Sequence, residues 1–372
     1  MRADVLVVGG GIAGASVGYF LSERRTVVLL EREAGFGYHS TGRSAAEWTA
    51  ANCEGQKRAL ALLGEPFLTS PPAGFTDLPL LTRRGNILFA PPGDEAAAEA
   101  YYARVTTHSP RVRIMPPAEA LARVPFLRRE VLARCYYEPD NGEIEVEALH
   151  QGYLRGIRRR GGATRTGAEF EGAEWTGGSW RVRLGDELIE TPQIVNAAGA
   201  WADVVAGKCG VRALPVEPRR RTAFTFDPGV DVRAVPVVDE IASGFYFKGN
   251  AGALMVCPGD ATPSLPCDAQ PEDLDVAIAV DLLERYTTLT VSKLASRWAG
   301  LRTFVRDEQP VAGFAADAPA FFWLAGHGGA GILTSPGLGQ VAAAIIEGRR
   351  LPEAALELGI SAEALSPRRL GA

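Results

Sequence analysis

The chain has 372 residues, 47% of them hydrophobic and 22% charged, enough for two compact units or one unit carrying a large insertion. Its net charge of -5 leaves no basic excess to neutralise phosphates, which argues against nucleic acid as a partner. Five scattered cysteines without a CxxC, and four histidines with no pair at ligand spacing, argue against a disulfide scaffold and a metal centre.

The first element reads as a strand, Val5-Leu6-Val7-Val8, followed by Gly9-Gly10-Gly11-Ile12-Ala13-Gly14 and a helix with Ile12, Ala15, Ser16, Tyr19 and Phe20 on one face. Gly9 permits the tight turn, Gly11 lets backbone approach a pyrophosphate, and Gly14 lets helix pack close to strand. The helix start offers N–H groups and a positive dipole end to phosphates. Glu31 closes a second apolar run, Val27-Val28-Leu29-Leu30, where an acid accepts both ribose hydroxyls. Strand, glycines, helix and acid in this order predict a dinucleotide-binding unit. The N-terminus enters the first strand directly and no apolar run reaches membrane-spanning length, so neither signal peptide nor integral membrane segment is expected.

Gly35 to Ala46 is a long loop of small and polar residues where a simple βαβ unit needs only a few, which marks it as functional. Between about 50 and 145 proline pairs appear beside short strand-like pieces such as Asn86-Ile87-Leu88-Phe89, which reads as an inserted unit. Glu147 to Arg160 is helical by pattern and ends at Gly161-Gly162. Residues 163 to 195 form a strand meander, with Trp180 to Leu184 alternating cleanly, and Gln193 to Gly199 is a buried strand entering a small-residue turn. Residues 213 to 300 resume the inserted unit. The chain then returns through Phe321 to Ala325 and Gly326-His327-Gly328-Gly329-Ala330-Gly331 to a final helix, Gly337 to Glu347. The expected fold is mixed α/β: a Rossmann-like nucleotide unit assembled from 1–49, 146–212 and 301–372, interleaved with a substrate unit on an antiparallel sheet from 50–145 and 213–300. Return to the nucleotide fold at the C-terminus fits FAD better than a nicotinamide cofactor.

Stretches spread along the whole chain are similar to the FAD-dependent D-amino-acid oxidase superfamily, which includes glycine oxidase and sarcosine oxidase. They include Gly37 to Ala46, Ala148 to Arg159, Val195-Asn196-Ala197-Ala198-Gly199-Ala200-Trp201, Phe245-Tyr246, Trp298-Ala299-Gly300-Leu301-Arg302 and Leu365 to Leu370. They look most like the branch that oxidises D-arginine. The resemblance implies that Gly9, Gly11, Ile12, Ala13 and Gly14 hold the pyrophosphate, Glu31 the ribose and Arg32 the adenine side. Ser40, Thr41, Gly42, Ser44, Ala45 and Ala46 would run beside pyrophosphate and flavin. Glu169 and Phe170 would offer backbone to adenine, with Ala197, Gly199 and Trp201 nearby. Gly328, Gly329, Gly331, Ile332, Leu333 and Thr334 would bring N–H groups and a helix start to the flavin N1–C2=O edge, where a positive dipole stabilises reduced flavin.

The same resemblance makes Arg302, Arg221 and Tyr246 the substrate carboxylate clamp, since a guanidinium pairs bidentately with a carboxylate. Arg221 is preferred over Arg219 and Arg220 by position. Three pocket residues depart from the branch: Glu47 stands for a histidine, Asn52 for a substrate-contacting tyrosine, and Asn86 for the acid that pairs with a guanidinium. The side-chain pocket is therefore expected to lack a cation-directing charge and to disfavour D-arginine, while Glu47 adds a charge nearer the reaction. The implied activity is oxidation of a D-amino acid by hydride transfer from Cα to flavin N5, with hydrolysis of the imine to a 2-oxo acid and ammonia. Secondary amines, imino acids or 2-hydroxy acids are the alternative substrates of the same clamp, and a flavin-binding redox protein without turnover is a third reading. No cysteine lies beyond Cys267, so FAD is expected to be non-covalent. The remaining expectations are a small amino-acid-like substrate, an electron acceptor left open between quinone, electron-transfer protein and oxygen, and a cytoplasmic location, at most peripheral to the inner membrane.

Overall fold

Four-residue strands in which every side chain is apolar, Val5–Val8 and Val27–Leu30, can be buried only if both faces of their sheet are covered. In the computed structural model, which describes residues 2–318 and 320–371, they lie at the centre of a six-stranded sheet. Its other strands are Ala163–Arg165, Ile194–Asn196, Val311–Phe314 and Phe321–Ala325, all parallel except the antiparallel edge pair 311–314/321–325. Alternation divides each strand between two cores. Val5 and Val7 pack with helices Ile12–Leu21, Val146–Arg159 and Gly331–Ile346, while Leu6 and Val8 pack with Trp180, Val182 and Ile189 of a three-stranded antiparallel sheet.

A second large sheet of nine strands draws on 86–138 and 217–304. It is antiparallel apart from the parallel pair Val237–Glu240/Asn86–Ala90. One face buries Ile87, Phe89, Phe224, Phe245 and Phe247 against helix Asp273–Tyr286. Its other face carries the polar alternates Arg221, Asp239 and Tyr246 toward the nucleotide unit. A small sheet of Glu47–Trp48, Gly142–Ile144 and Leu81–Arg83 joins the two.

Two elements differ from expectation. Helix Gly55–Thr69 falls within the stretch assigned to the substrate unit, yet Leu60, Leu63 and Phe67 belong to the core around Val5 and Val7. The last long helix begins at Gly331 rather than Gly337 and carries Pro336 inside it. The two helices touch through glycine: a Cβ on Gly337 would lie 2.3 Å from the Leu60 carbonyl oxygen and one on Gly64 3.0 Å from the Gly337 nitrogen. Packing this close holds a helix together across a proline that removes one of its own hydrogen bonds.

Candidate active site

The glycine turn has the geometry a pyrophosphate requires. Gly9 has φ +109°, and a Cβ there would meet the Ala197 carbonyl oxygen at 2.4 Å. A Cβ on Gly14 would lie 2.0 Å from the Gly9 carbonyl oxygen, so this residue packs helix on strand and does not line the cavity. At Gly11 the nearest atom to such a Cβ is Thr41 Oγ1 at 3.1 Å, and the residue borders open space. Thr41 Oγ1 accepts from the Ile12 N–H at 2.9 Å, tying the loop after Glu31 to the helix start. Glu31 accepts from the Gly10 N–H with one oxygen and from the Glu33 N–H with the other, both at 2.9 Å. Each oxygen retains a lone pair for a further donor.

A cleft opens from this turn along the carboxyl ends of the parallel strands. Gly9, Gly11, Ile12, Ala13, Glu31, Arg32, Ser40, Thr41, Glu169, Phe170, Ala197, Gly199, Trp201, Gly328 and Gly331 border it. Arg32 stacks its guanidinium 4.1 Å above the Trp201 ring at the rim. The Phe170 carbonyl accepts from Lys208 Nζ at 2.8 Å, and both Glu169 and Phe170 border the cleft. Gly42 forms a tight turn against the Gly37 carbonyl and stays off the cleft. Thr334 likewise turns back, its hydroxyl donating to the Ala330 carbonyl at 2.7 Å. His327 borders the cleft although it was not expected there. Burial pushes its imidazole down to about 4, and Nε2 has no protein partner.

Ile12, Ser40, Thr41, Leu301, Gly328 and Gly331 border both this cleft and a second cavity. The second cavity is enclosed by Ser44, Ala45, Ala46, Glu47, Thr49, Asn52, Arg221, Asp239, Tyr246, Arg302, Gly329, Ile332 and Leu333. Alternation separates Arg220 from Arg221, and ion pairing separates Arg219: Arg219 pairs with Glu217 and Glu308, and Arg220 with Glu272 and Asp275, whereas Arg221 borders the cavity. Arg221 Nη1 donates to Cys257 Sγ at 3.6 Å, and its Nε lies 3.9 Å from Asp260. Arg302 Nη2 donates to the Asp260 carbonyl at 3.3 Å. The Nε of each arginine is buried without a partner. Burial and the neighbouring Arg221 pull Arg302 down to about 10, so its guanidinium remains charged at neutral pH. Two half-buried guanidiniums with unfilled donors in one cavity suit an anion between them. Beside them burial pushes the Tyr246 phenol well above its ordinary range, leaving it protonated and able to donate.

A second carboxylate shares this cavity, where the sequence reading placed only Glu47. Asn86 is fully buried and does not itself border the cavity; its amide donates to Asp239 Oδ2 at 2.6 Å. Asp239 is the residue that faces the space, and it was absent from the sequence reading. Glu47 borders the same space, with Oε1 buried and without a partner among the described residues. Burial first, then the charge of Asp239, push Glu47 up to about 8. Asn52 accepts from the Tyr101 hydroxyl at 2.6 Å.

The FAD dependent oxidoreductase family, DAO, matches residues 4–345 of this sequence. The chain belongs to that family. The glycine cradle, the carboxylate of Glu31 and the unpartnered His327 nitrogen fit the dinucleotide this family requires, so the cleft is an FAD site. Glycine oxidase of Geobacillus kaustophilus is 25% identical over 363 residues, which cover 93% of each chain. Human mitochondrial sarcosine dehydrogenase is 25% identical over 373 residues, covering 93% of this chain and 40% of that protein. In fold the chain matches L-proline dehydrogenase from P. horikoshii with a TM-score of 0.83 at 21% identity, over 100% of this chain and 98% of the other. The protein is thus an FAD-dependent oxidoreductase. Among the described residues no helix is long and apolar enough to cross a membrane, and no cluster could hold a metal ion.

Proposed function

We propose that the enzyme oxidises a small α-amino acid, glycine or one of D configuration, at the bond between Cα and nitrogen. The observation that carries this reading is the pair Arg221 and Arg302, half-buried, each with an Nε that has no partner among the described residues, at the junction with the FAD cleft. A substrate carboxylate supplies the missing anion, and the two guanidiniums then fix Cα against the cofactor side of the cavity, formed by Gly329, Ile332 and Leu333. Tyr246 adds a hydroxyl donor to the same end. Flavin, when bound, supplies the hydride acceptor at N5. The chain's own part is to orient the substrate and offset its charge, and the imine that leaves is hydrolysed to a 2-oxo acid and ammonia. D-arginine is disfavoured on this reading because Asn86, buried and bonded to Asp239, stands where the similar branch carries the acid that pairs with a guanidinium.

Secondary amines form a second reading, favoured by the relative named for sarcosine, whose nitrogen also sits next to a carboxylate-bearing carbon. Anaerobic mixing of the purified holoenzyme with glycine, sarcosine, D-alanine, D-leucine, D-arginine and D-lactate separates these readings. Bleaching of the flavin by the amino acids and not by lactate supports amine oxidation; bleaching by lactate alone overturns it.

A further inference from the structure

Two carboxylates on different elements border the same cavity as the two arginines. Asp239 comes from strand Val237–Glu240 of the nine-stranded sheet and Glu47 from the short strand Glu47–Trp48 that begins at the end of the flavin-side loop. Asn86 fixes Asp239 by its Oδ2, and no protein hydrogen bond reaches Oδ1 among the described residues. Glu47 Oε1 is likewise unfilled among the described residues. An α-amino acid held by its carboxylate on the arginines brings its nitrogen into the enclosure these two carboxylates share.

We propose that Asp239 and Glu47 act as a pair that binds the substrate nitrogen and accepts the proton its ammonium loses before hydride transfer. This rests on the amine-oxidation reading above. In the step an N–H bond breaks and an O–H bond forms, giving a neutral amine and a carboxylic acid with no change in oxidation state. The Cα–H bond then departs with its electron pair to FAD, and the nitrogen lone pair forms the C=N bond.

The charges around the pair suit this role. Glu47 is faced by Asp239, Lys248, Glu138 and Glu143, and Asp239 by Arg221, Glu240 and the Asn86 amide. Lys248 is committed to the Ala45 carbonyl and Glu143, so it does not neutralise Glu47 by direct contact. Burial raises both carboxyls, Glu47 to about 8 and Asp239 to about 6. Near neutrality the pair therefore holds one proton, keeps one negative charge for the ammonium, and has room for the second proton.

The test uses holoenzymes of wild type, Asp239→Asn and Glu47→Gln, mixed anaerobically with glycine, sarcosine and D-alanine from about pH 6 to 10. Flavin bleaching gives the reduction rate, and spectral titration gives the Kd of propionate, a carboxylate without nitrogen. The expected result for Asp239→Asn is a reduction rate at pH 7 lower by about tenfold to a hundredfold. Its pH inflection moves up toward the substrate amine's own value, and the Kd of propionate stays within about twofold, because the charge-assisted arginine contacts that bind the carboxylate are intact. Glu47→Gln should shift the inflection in the same direction by a smaller amount. If Asp239→Asn does not retain FAD, Asn86→Leu serves in its place: the carboxylate remains, loses the donor that favours its ionised form, and the inflection rises. Variants whose profiles superimpose on a wild type that amines do bleach overturn the pair alone. A wild type bleached only by D-lactate overturns the amine reading and the pair together.

Discussion

Asp239 lies directly across from Tyr246 in the antiparallel pairing of strands Val237–Glu240 and Tyr246–Asn250, so carboxylate and phenol leave the sheet on one side and enter one cavity. A protonated phenol and an open carboxylate oxygen thus border one cavity with the two arginines and Glu47. Guanidiniums and carboxylates in one enclosure suit a zwitterion.

Replacing Arg302 with methionine should reduce kcat/KM for every carboxylate substrate by about a hundredfold to a thousandfold, the range for losing a charge-assisted contact in a low-dielectric site. FAD content, measured by absorbance, should be unchanged. Near-normal kinetics in this variant would mean that the carboxylate sits elsewhere.

Two glycines of the turn should separate fold from cofactor binding. A methyl on Gly14 meets backbone at 2.0 Å, so Gly14→Ala should lower the melting temperature markedly even without FAD. At Gly11 the methyl meets only a hydroxyl at 3.1 Å and otherwise enters the cleft. Gly11→Ala should leave the apoprotein's melting temperature nearly unchanged and weaken FAD binding by about tenfold or more, measured by fluorescence titration, as steric exclusion of a close backbone–phosphate contact. Equal effects on both quantities in both variants would contradict this division.

Acid precipitation should release intact FAD into the supernatant and leave a colourless pellet. Cys257, the thiol that accepts from Arg221, is fully buried and is pushed up by that burial, which opposes attack on a flavin. A yellow pellet would show a covalent link.

Glu138 makes the protein's stability depend on pH. It is 1% exposed, accepts from the Thr49 hydroxyl, and is pushed up by burial to about 8 from 4.5. Between those values the native state keeps a proton that the unfolded chain has lost, so stability declines as pH rises and the loss is complete above about 8. Glu138→Gln retains an acceptor for Thr49 and cannot ionise. Denaturant unfolding from about pH 5 to 9 should show a decline shallower by roughly 1–3 kcal/mol in the variant. Parallel declines would show that Glu138 ionises without cost.

Legibility in the sequence followed how local each feature is. The FAD turn, with Glu31 twenty residues after Gly11, is encoded in contiguous strand, glycine and helix signals, and the structure reproduces each part. Arg302, Arg221 and Tyr246 were found by resemblance and converge on one cavity. Asp239 was missed because its role depends on strand pairing between segments far apart in sequence; only its alternation with buried Val238 hints at the face it occupies. Reading Asn86 and Asn52 as the loss of the pocket's acid leaves out Asp239, which Asn86 holds and which brings a second carboxylate to the cavity beside Glu47. The start of the last helix was misplaced because Pro336 resembles a first-turn proline, whereas contact with helix Gly55–Thr69 holds the helix intact on both sides of it.

Ser40 and Thr41 border both the FAD cleft and the substrate cavity, and Ser40 is fastened across to the Leu301 carbonyl at 2.6 Å. The two chambers therefore share lining residues, this loop together with Ile12, Leu301, Gly328 and Gly331. A ligand that orders these shared residues from one side lowers the ordering cost for a ligand on the other, which makes cofactor retention and substrate affinity two readings of one coupling free energy. Whatever factor a bound carboxylate adds to the hold on FAD, FAD must add in equal measure to the hold on the carboxylate.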